Sequence, residues 1–319
     1  MISGFLITGL LIDDLDDKIR VKRFYIRRFF KIVPHYLFII FIGVAAACVL
    51  SPQDLVSRLP LLSHLGFFSN YVLPLGPLEH LWSIAVEEHF YLAYPLLLSL
   101  VCFLNPVPAQ RRNILFVAFV ILILLGNYLR YRALQGATPP FDPPILWQMS
   151  HVRFDVLIWG CLLKLIEPFL RNLPSRWKEW CAVVCFWIGG AIFLSFYFRY
   201  DCLVWWYYTA SSTATVLLMV SALLGFIPLI RFMESARLRW VGKNSYGIYL
   251  WHHIIIKCSI LWHILWHNVV IIFPPLQQRP LIAAVLSMIF YGSLSLYLGA
   301  MTTNTIERYF LNLRKRIAP

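Results

Sequence analysis

Ionisable and hydroxyl-bearing side chains recur at helical spacing inside segments that are otherwise apolar. In HLWSIAVEEHFYLAYP, residues His80, Ser83, Glu87, Tyr91 and Tyr94 fall on one helical face, while Glu88 and His89 point elsewhere. Glu87 then lies about 10 Å in from the start of the segment. In VGKNSYGIYLWHH and the stretch after it, Ser245, Tyr249, His252 and Ser259 recur at intervals of four, three and seven. Carboxylates, imidazoles and phenols are the groups that exchange protons in catalysis. A charged group at membrane depth costs roughly 2.5 to 3.5 kcal/mol, so such residues face a bundle interior or water. Two readings stand for each: Glu87 pairs with Arg153 or another interior cation and fixes packing, or it sits in or beside a site; His252 is a hydrogen-bonded packing residue, or it is functional. Arg153 and Asp155 in HVRFDVLIWG are two residues apart, hence on different faces, and each needs its own partner.

A basic segment, DDLDDKIRVKRFYIRRFFKIVP, interleaves Lys18, Arg20, Lys22, Arg23, Arg27, Arg28 and Lys31 with Phe24, Tyr25, Phe29 and Phe30. It serves either topology and lipid headgroups, or the docking of a polyanionic cytoplasmic ligand through bidentate Arg contacts. Pro34 is expected in the first turn of the following span, where its missing N–H is harmless. His263 and His267 have a metal-compatible spacing, yet no carboxylate or Cys is near, and no metal site is expected. The seven Cys contain no CxxC pair and read as small buried hydrophobes.

These groups need an apolar scaffold. Of 319 residues, 60% are hydrophobic and 13% charged, and the mean hydropathy is +0.70, which excludes an ordinary soluble domain. Eight segments approach the roughly 20 apolar residues of a spanning helix: 33–50, 80–104, 114–131, 152–170, 180–198, 203–230, 245–267 and 281–302. A ninth, residues 1–12, would reach only about 18 Å and reads as the tail of a longer helix. The fold class expected is an all-α, polytopic membrane bundle, one domain over residues 1–319 with no soluble domain. The connections 13–32, 105–113, 171–179, 231–244 and 303–319 hold 20 of the 28 Lys and Arg, and the alternate connections hold five. Basic residues stay on the cytoplasmic side, which places the C-terminus there and accounts for the net charge of +13 without nucleic acid. Trp147, Trp205, Trp206, Tyr207, Tyr208, Trp262 and Trp266 suit the outer aromatic belt.

The strings ISGFLITGLL, FYIRRFFKIVPHY, HLWSIAVEEHFYLAYPLLL, RFDVLIWGCLL and WVGKNSYGIYLWHH, in this order, resemble the membrane acyltransferase-3 family from residue 2 to about residue 255. That family comprises bacterial polytopic enzymes that O-acylate envelope polysaccharides and other cell-surface or secreted acceptors. The resemblance implies ten helices against nine here, with the deficit before Met1, where the family carries the His taken as catalytic. It also implies acyl-CoA, in particular acetyl-CoA, as a cytoplasmic co-substrate rather than a permanently bound cofactor. The partners implied are the lipid bilayer and a polysaccharide or lipid-linked glycan acceptor, and the place implied is the bacterial inner membrane. Arg27, Arg28 and Lys31 would hold the coenzyme phosphates, with Lys31 standing where the family often has Arg. Ser3 and Gly4 would line the coenzyme's route in, and Glu87 would orient or charge-stabilise the family's catalytic His. Tyr249 and His252 would contact acceptor or thioester, and His80, Arg153 and Asp155 would bind the acceptor. The other readings are an inactive homologue acting as an interaction partner, and a transporter.

Overall fold

The computed structural model describes residues 1–12, 21–50, 59–72, 76–105, 107–135, 148–198, 207–257, 267 and 279–317. In chain order the helices are α1 (Ile2–Leu11), α2 (Val21–Leu50), α3 (Leu59–Leu65), α4 (Trp82–Leu104), α5 (Pro108–Gln135), α6 (Ser150–Arg153), α7 (Asp155–Arg171), α8 (Ser175–Phe198), α9 (Tyr207–Leu223), α10 (Ile227–Met233), α11 (Ala236–Lys257), α12 (Pro280–Thr302) and α13 (Arg308–Ile317). A 3-10 turn, Gly76–Leu81, leads into α4, and a π-helical turn, Thr303–Glu307, joins α12 to α13. The fold is all-α. Trp147, Trp205, Trp206, Ser259, Trp262, His263, Trp266, Lys18 and Arg20 lie outside the described residues.

Each of the nine apolar segments overlaps a described helix, and among the described residues five helices are long and apolar enough to cross a membrane, or six if α9 and α10 form one broken span. Of the remaining described helices, α1 has 10 residues, α7 has 17 with Lys164 and Glu167 within it, and α11 carries Arg237, Arg239, Lys243 and Lys257. Phe41, Phe103, Leu281 and Met288 are 71% to 84% exposed, so hydrocarbon rather than water must cover these faces.

The described residues divide into two compact units, Met1–Val21 with Ser83–Ser235 and Lys22–Trp82 with Ala236–Pro319. In the first, α1 meets α7 so closely that a Cβ on Gly4 would lie 2.0 Å from the Leu157 carbonyl oxygen, and one on Gly160 2.0 Å from that of Met1. Only glycine admits such an approach. Beside this crossing Leu163, Ala182, Val220 and Leu224 form a core, with Phe5 and Phe226 against it. Within residues 203–230, expected as one crossing, the described helices α9 and α10 meet at a bend of 99°. The bend falls at Gly225, whose φ of +96° is in the left-handed region that favours glycine.

In the second unit α2 begins at Val21, so Pro34 is inside the helix rather than in its first turn. From Val21 onward the basic segment is therefore the opening of a long helix and not a connection. Its register holds Arg23, Arg27 and Lys31 on one stripe. Farther along, His35 is fully buried, with Nε2 2.9 Å from Thr302 Oγ1, and Trp251 Nε1 donates to the same oxygen at 3.1 Å.

His64 on α3 is fully buried, and among the described residues neither ring nitrogen has a hydrogen-bond partner. Burial pushes its imidazole down from 6.5 to about 4. The unfolded chain takes up this proton near pH 6.5 and the folded chain only near pH 4, so stability is undiminished above about pH 6.5 and falls as pH drops toward 4. The loss from this group is about 2 kcal/mol between pH 6.5 and 5. A His64→Leu variant in detergent should lose that share of the acid-dependent fall in thermal midpoint. An identical pH slope in both proteins would assign the fall to other groups.

Candidate functional site

The sequence-predicted residues sort into two clusters, one in each unit. In the second unit His80 sits on the 3-10 turn rather than on the α-helical face that carries Glu87. The tighter turn breaks the four-residue register that would have aligned the two. The His80 ring is buried, and its Nε2–H donates to the Leu250 carbonyl at 3.1 Å. The Tyr249 hydroxyl donates to the His80 carbonyl oxygen, and His252 Nδ1–H donates to the carbonyl of Tyr249. The rings of His252 and His253 are each centred 5.0 Å from that of His80. Glu79 lies 3.6 Å from His253 and 3.5 Å from Lys257.

A carbonyl only accepts, so one nitrogen of His80 and one of His252 must carry the hydrogen. In the neutral ring the other nitrogen then holds a lone pair: Nδ1 of His80 and Nε2 of His252. Nδ1 of His80 is buried without a hydrogen-bond partner among the described residues. Two imidazoles of set tautomer thus stand side by side, each with a nitrogen able to take a proton. Tyr249 has its hydroxyl hydrogen committed to backbone and holds the His80 turn against α11. Among the described residues no group of three or more His, Cys, Asp and Glu is arranged to hold a metal ion.

In the first unit Glu87 is half-buried and accepts from Ser3 Oγ at 3.1 Å and from the Tyr91 hydroxyl. Tyr94, one turn further on, is 2.7 Å from Thr8 Oγ1. The polar face expected on α4 therefore turns inward against α1. Gly4, expected along the coenzyme's route, is buried against Leu157 and Cys161, so backbone packing already accounts for it. Asp155, expected to bind the acceptor, is fully buried, with Oδ1 3.1 Å and Oδ2 2.6 Å from the two terminal nitrogens of Arg130. Both carboxylate oxygens are engaged from within the protein. Arg153 places its guanidinium 4.1 Å from the centre of the Tyr208 ring, a cation–π contact.

Arg130, near the end of the segment 114–131 expected to span, is the main residue the sequence reading missed. It is 1% exposed inside α5, also donates to the Val152 carbonyl at 2.9 Å, and lies 3.4 Å from Asn127 and Thr209. Its interval of three from Asn127 in an apolar helix is the signal that could have marked it. On α2, Arg28 lies 5.6 Å over the Phe24 ring, and Arg27 and Lys31 are exposed.

Long apolar helices with hydrocarbon-facing surfaces and inward-turned acid and base groups define a multi-pass membrane protein with buried clusters of carboxylate, imidazole and hydroxyl groups. The chain belongs to the acyltransferase-3 family, whose profile, described as an acyltransferase domain, matches residues 1–299. It is 28% identical over 277 residues to O-acetyltransferase OatA of Staphylococcus aureus, covering 80% of this chain and 44% of that protein. It is 29% identical over 285 residues to peptidoglycan O-acetyltransferase OatA of Listeria monocytogenes, covering 81% and 44%. The chain thus spans under half the length of these relatives. No solved structure matches it.

Proposed function

We propose that the chain is a membrane acyl-transfer unit that moves an acetyl group from acetyl-CoA, bound on the cytoplasmic side of the bacterial inner membrane, to a hydroxyl of peptidoglycan or another envelope polysaccharide. The observation that carries this reading is the match of the acyltransferase profile to residues 1–299. The names of the relatives support acetyl as the group and peptidoglycan as the acceptor class. The basic residues at the start of α2 support a phosphate-bearing donor on the side where Lys and Arg accumulate.

Transfer to a hydroxyl needs a base, a partner for the oxyanion and alignment of both substrates. His252 Nε2 takes the acceptor's proton as its oxygen attacks the thioester carbonyl. The carbon–sulfur bond then breaks, and the coenzyme leaves as a thiol carrying that proton. His80, with its own lone pair 5.0 Å away between ring centres, is the alternative proton acceptor. Glu87, held by Ser3 and Tyr91, is an acceptor-only carboxylate suited to orienting a cation or an N–H group.

Membranes containing the protein, given acetyl-labelled acetyl-CoA, are expected to place label in alkali-labile esters on polysaccharide. Arg28→Ala should raise the apparent KM for acetyl-CoA severalfold. The absence of label transfer from acetyl-CoA overturns the reading. A change in folding yield alone for Arg28→Ala assigns that side chain to lipid contact.

A further inference from the structure

We propose that Thr302, the last residue of α12, is a positioning residue for the acyl-transfer base: its single hydroxyl ties α2 to α11 and sets the rotation at which α11 presents His252. This rests on the acyl-transfer reading above and adds to it a residue beyond 1–299, the stretch the family profile matches.

Thr302 is 1% exposed, and every hydrogen-bonding position of its hydroxyl is in use. A hydroxyl has one hydrogen to give and two lone pairs to receive. The hydrogen turns back along α12 to the Leu298 carbonyl at 2.9 Å. Trp251 on α11 can only donate, and its Nε1 reaches Thr302 Oγ1 at 3.1 Å. His35 Nε2 on α2 is 2.9 Å from the same oxygen. With the hydroxyl hydrogen already committed, His35 donates as well. One oxygen therefore receives a ring N–H from each of two other helices.

α11 needs a restraint of this kind. It meets α12 backbone to backbone: a Cβ on Gly247 would lie 2.3 Å from the Gly299 carbonyl oxygen, and one on Gly299 2.5 Å from Ile248 Cα. Glycines let two helix axes approach, but with no side chains interlocked at the crossing they do not fix how far α11 turns about its own axis. Directional bonds do. The Tyr246 hydroxyl supplies one lower on α11, donating to the Ile32 carbonyl at 3.1 Å. The Thr302 fork supplies another at the level of the site, because Trp251 immediately precedes His252. The two side chains leave α11 about 100° apart. Holding the indole against α12 thus holds the imidazole toward His80, with the two imidazole ring centres 5.0 Å apart. A ring nitrogen about 6 Å from a helix axis moves about 1 Å for each 10° of rotation. A misplacement of that size can cost about 100-fold in rate.

The test compares Thr302→Val, which keeps the shape and loses the hydroxyl, with Thr302→Ser, which keeps the hydroxyl. In membranes given labelled acetyl-CoA, Thr302→Val is expected to lower kcat about 30-fold while KM for acetyl-CoA stays within about twofold of the parent. Thr302→Ser should recover most of that rate. The same proteins are treated with diethyl pyrocarbonate, which modifies an imidazole nitrogen that holds a lone pair. His252 should react about threefold faster in Thr302→Val, where α11 has lost a restraint, and the exposed His151 should react as in the parent. Thr302→Val leaves two buried N–H groups unpaired, so Trp251→Phe, which removes one donor and orphans none, carries the same two readouts should the first variant not fold. Parent-like kcat and His252 reactivity in whichever of the two variants folds overturn the positioning role and leave acyl transfer standing. Equal losses in Thr302→Val and Thr302→Ser, matched by equal falls in thermal midpoint, overturn it too, since packing then explains both. If the parent transfers no acetyl group, the acyl-transfer reading fails, and the positioning of His252 stands or falls on its reactivity alone.

Discussion

Replacing His252 by Gln is expected to lower the rate of acetyl transfer at saturating acetyl-CoA by about 100-fold or more, the range in which a positioned general base acts. The hydrogen bond from His252 Nδ1 to the Tyr249 carbonyl sets the tautomer, so Nε2 is the nitrogen that can take a proton. Glutamine keeps a donor for that carbonyl but has no basic nitrogen. The thermal midpoint and the KM for acetyl-CoA should therefore change little while kcat falls. His80→Gln probes the alternative proton acceptor. If His252→Gln keeps its rate and His80→Gln loses it, the base is His80; if neither matters, both imidazoles are packing residues and the mechanism proposed here is wrong.

The other large effect concerns folding. Asp155→Asn or Arg130→Met alone is expected to destabilise the protein by about 3 to 5 kcal/mol, because each leaves an uncompensated charge in the interior. The pair has the geometry for this: two contacts at 2.6 and 3.1 Å between side chains 1% and 0% exposed. α5 presses on it as well, since a Cβ on Gly126 would lie 2.7 Å from Asp155 Cβ. Either single variant should give little monodisperse protein on size-exclusion chromatography. Arg130→Met with Asp155→Leu, which removes both charges, should regain much of that yield. A folded Asp155→Asn protein with the parent's thermal midpoint and weaker acceptor binding would return Asp155 to the role first expected of it.

Helix identity and hydrophobic pattern were readable because hydrocarbon is so poor a solvent for polar groups that a span must advertise itself by composition. The inward face of α4 was readable as well, since Glu87, Tyr91 and Tyr94 keep a local interval. Where a local rule was interrupted, the reading failed. His80 left the face because a 3-10 turn replaces the first turn of the helix. Pro34 moved inside α2 because the basic segment ahead of it is already helical. Residues 203–230 broke at Gly225, whose backbone leaves the right-handed region.

The kind of protein, its membrane setting and most of the residue types that exchange protons were thus decided by amino-acid order alone, since hydropathy and helical periodicity act over a few turns. Partnership needed the folded chain. Arg130 with Asp155 spans 25 residues, Ser3 with Glu87 spans 84, and His80 with Leu250 spans 170. Such pairs have no spacing rule, because what brings them together is the packing of whole helices, and a charge near a helix end in one dimension can be the deepest side chain in three.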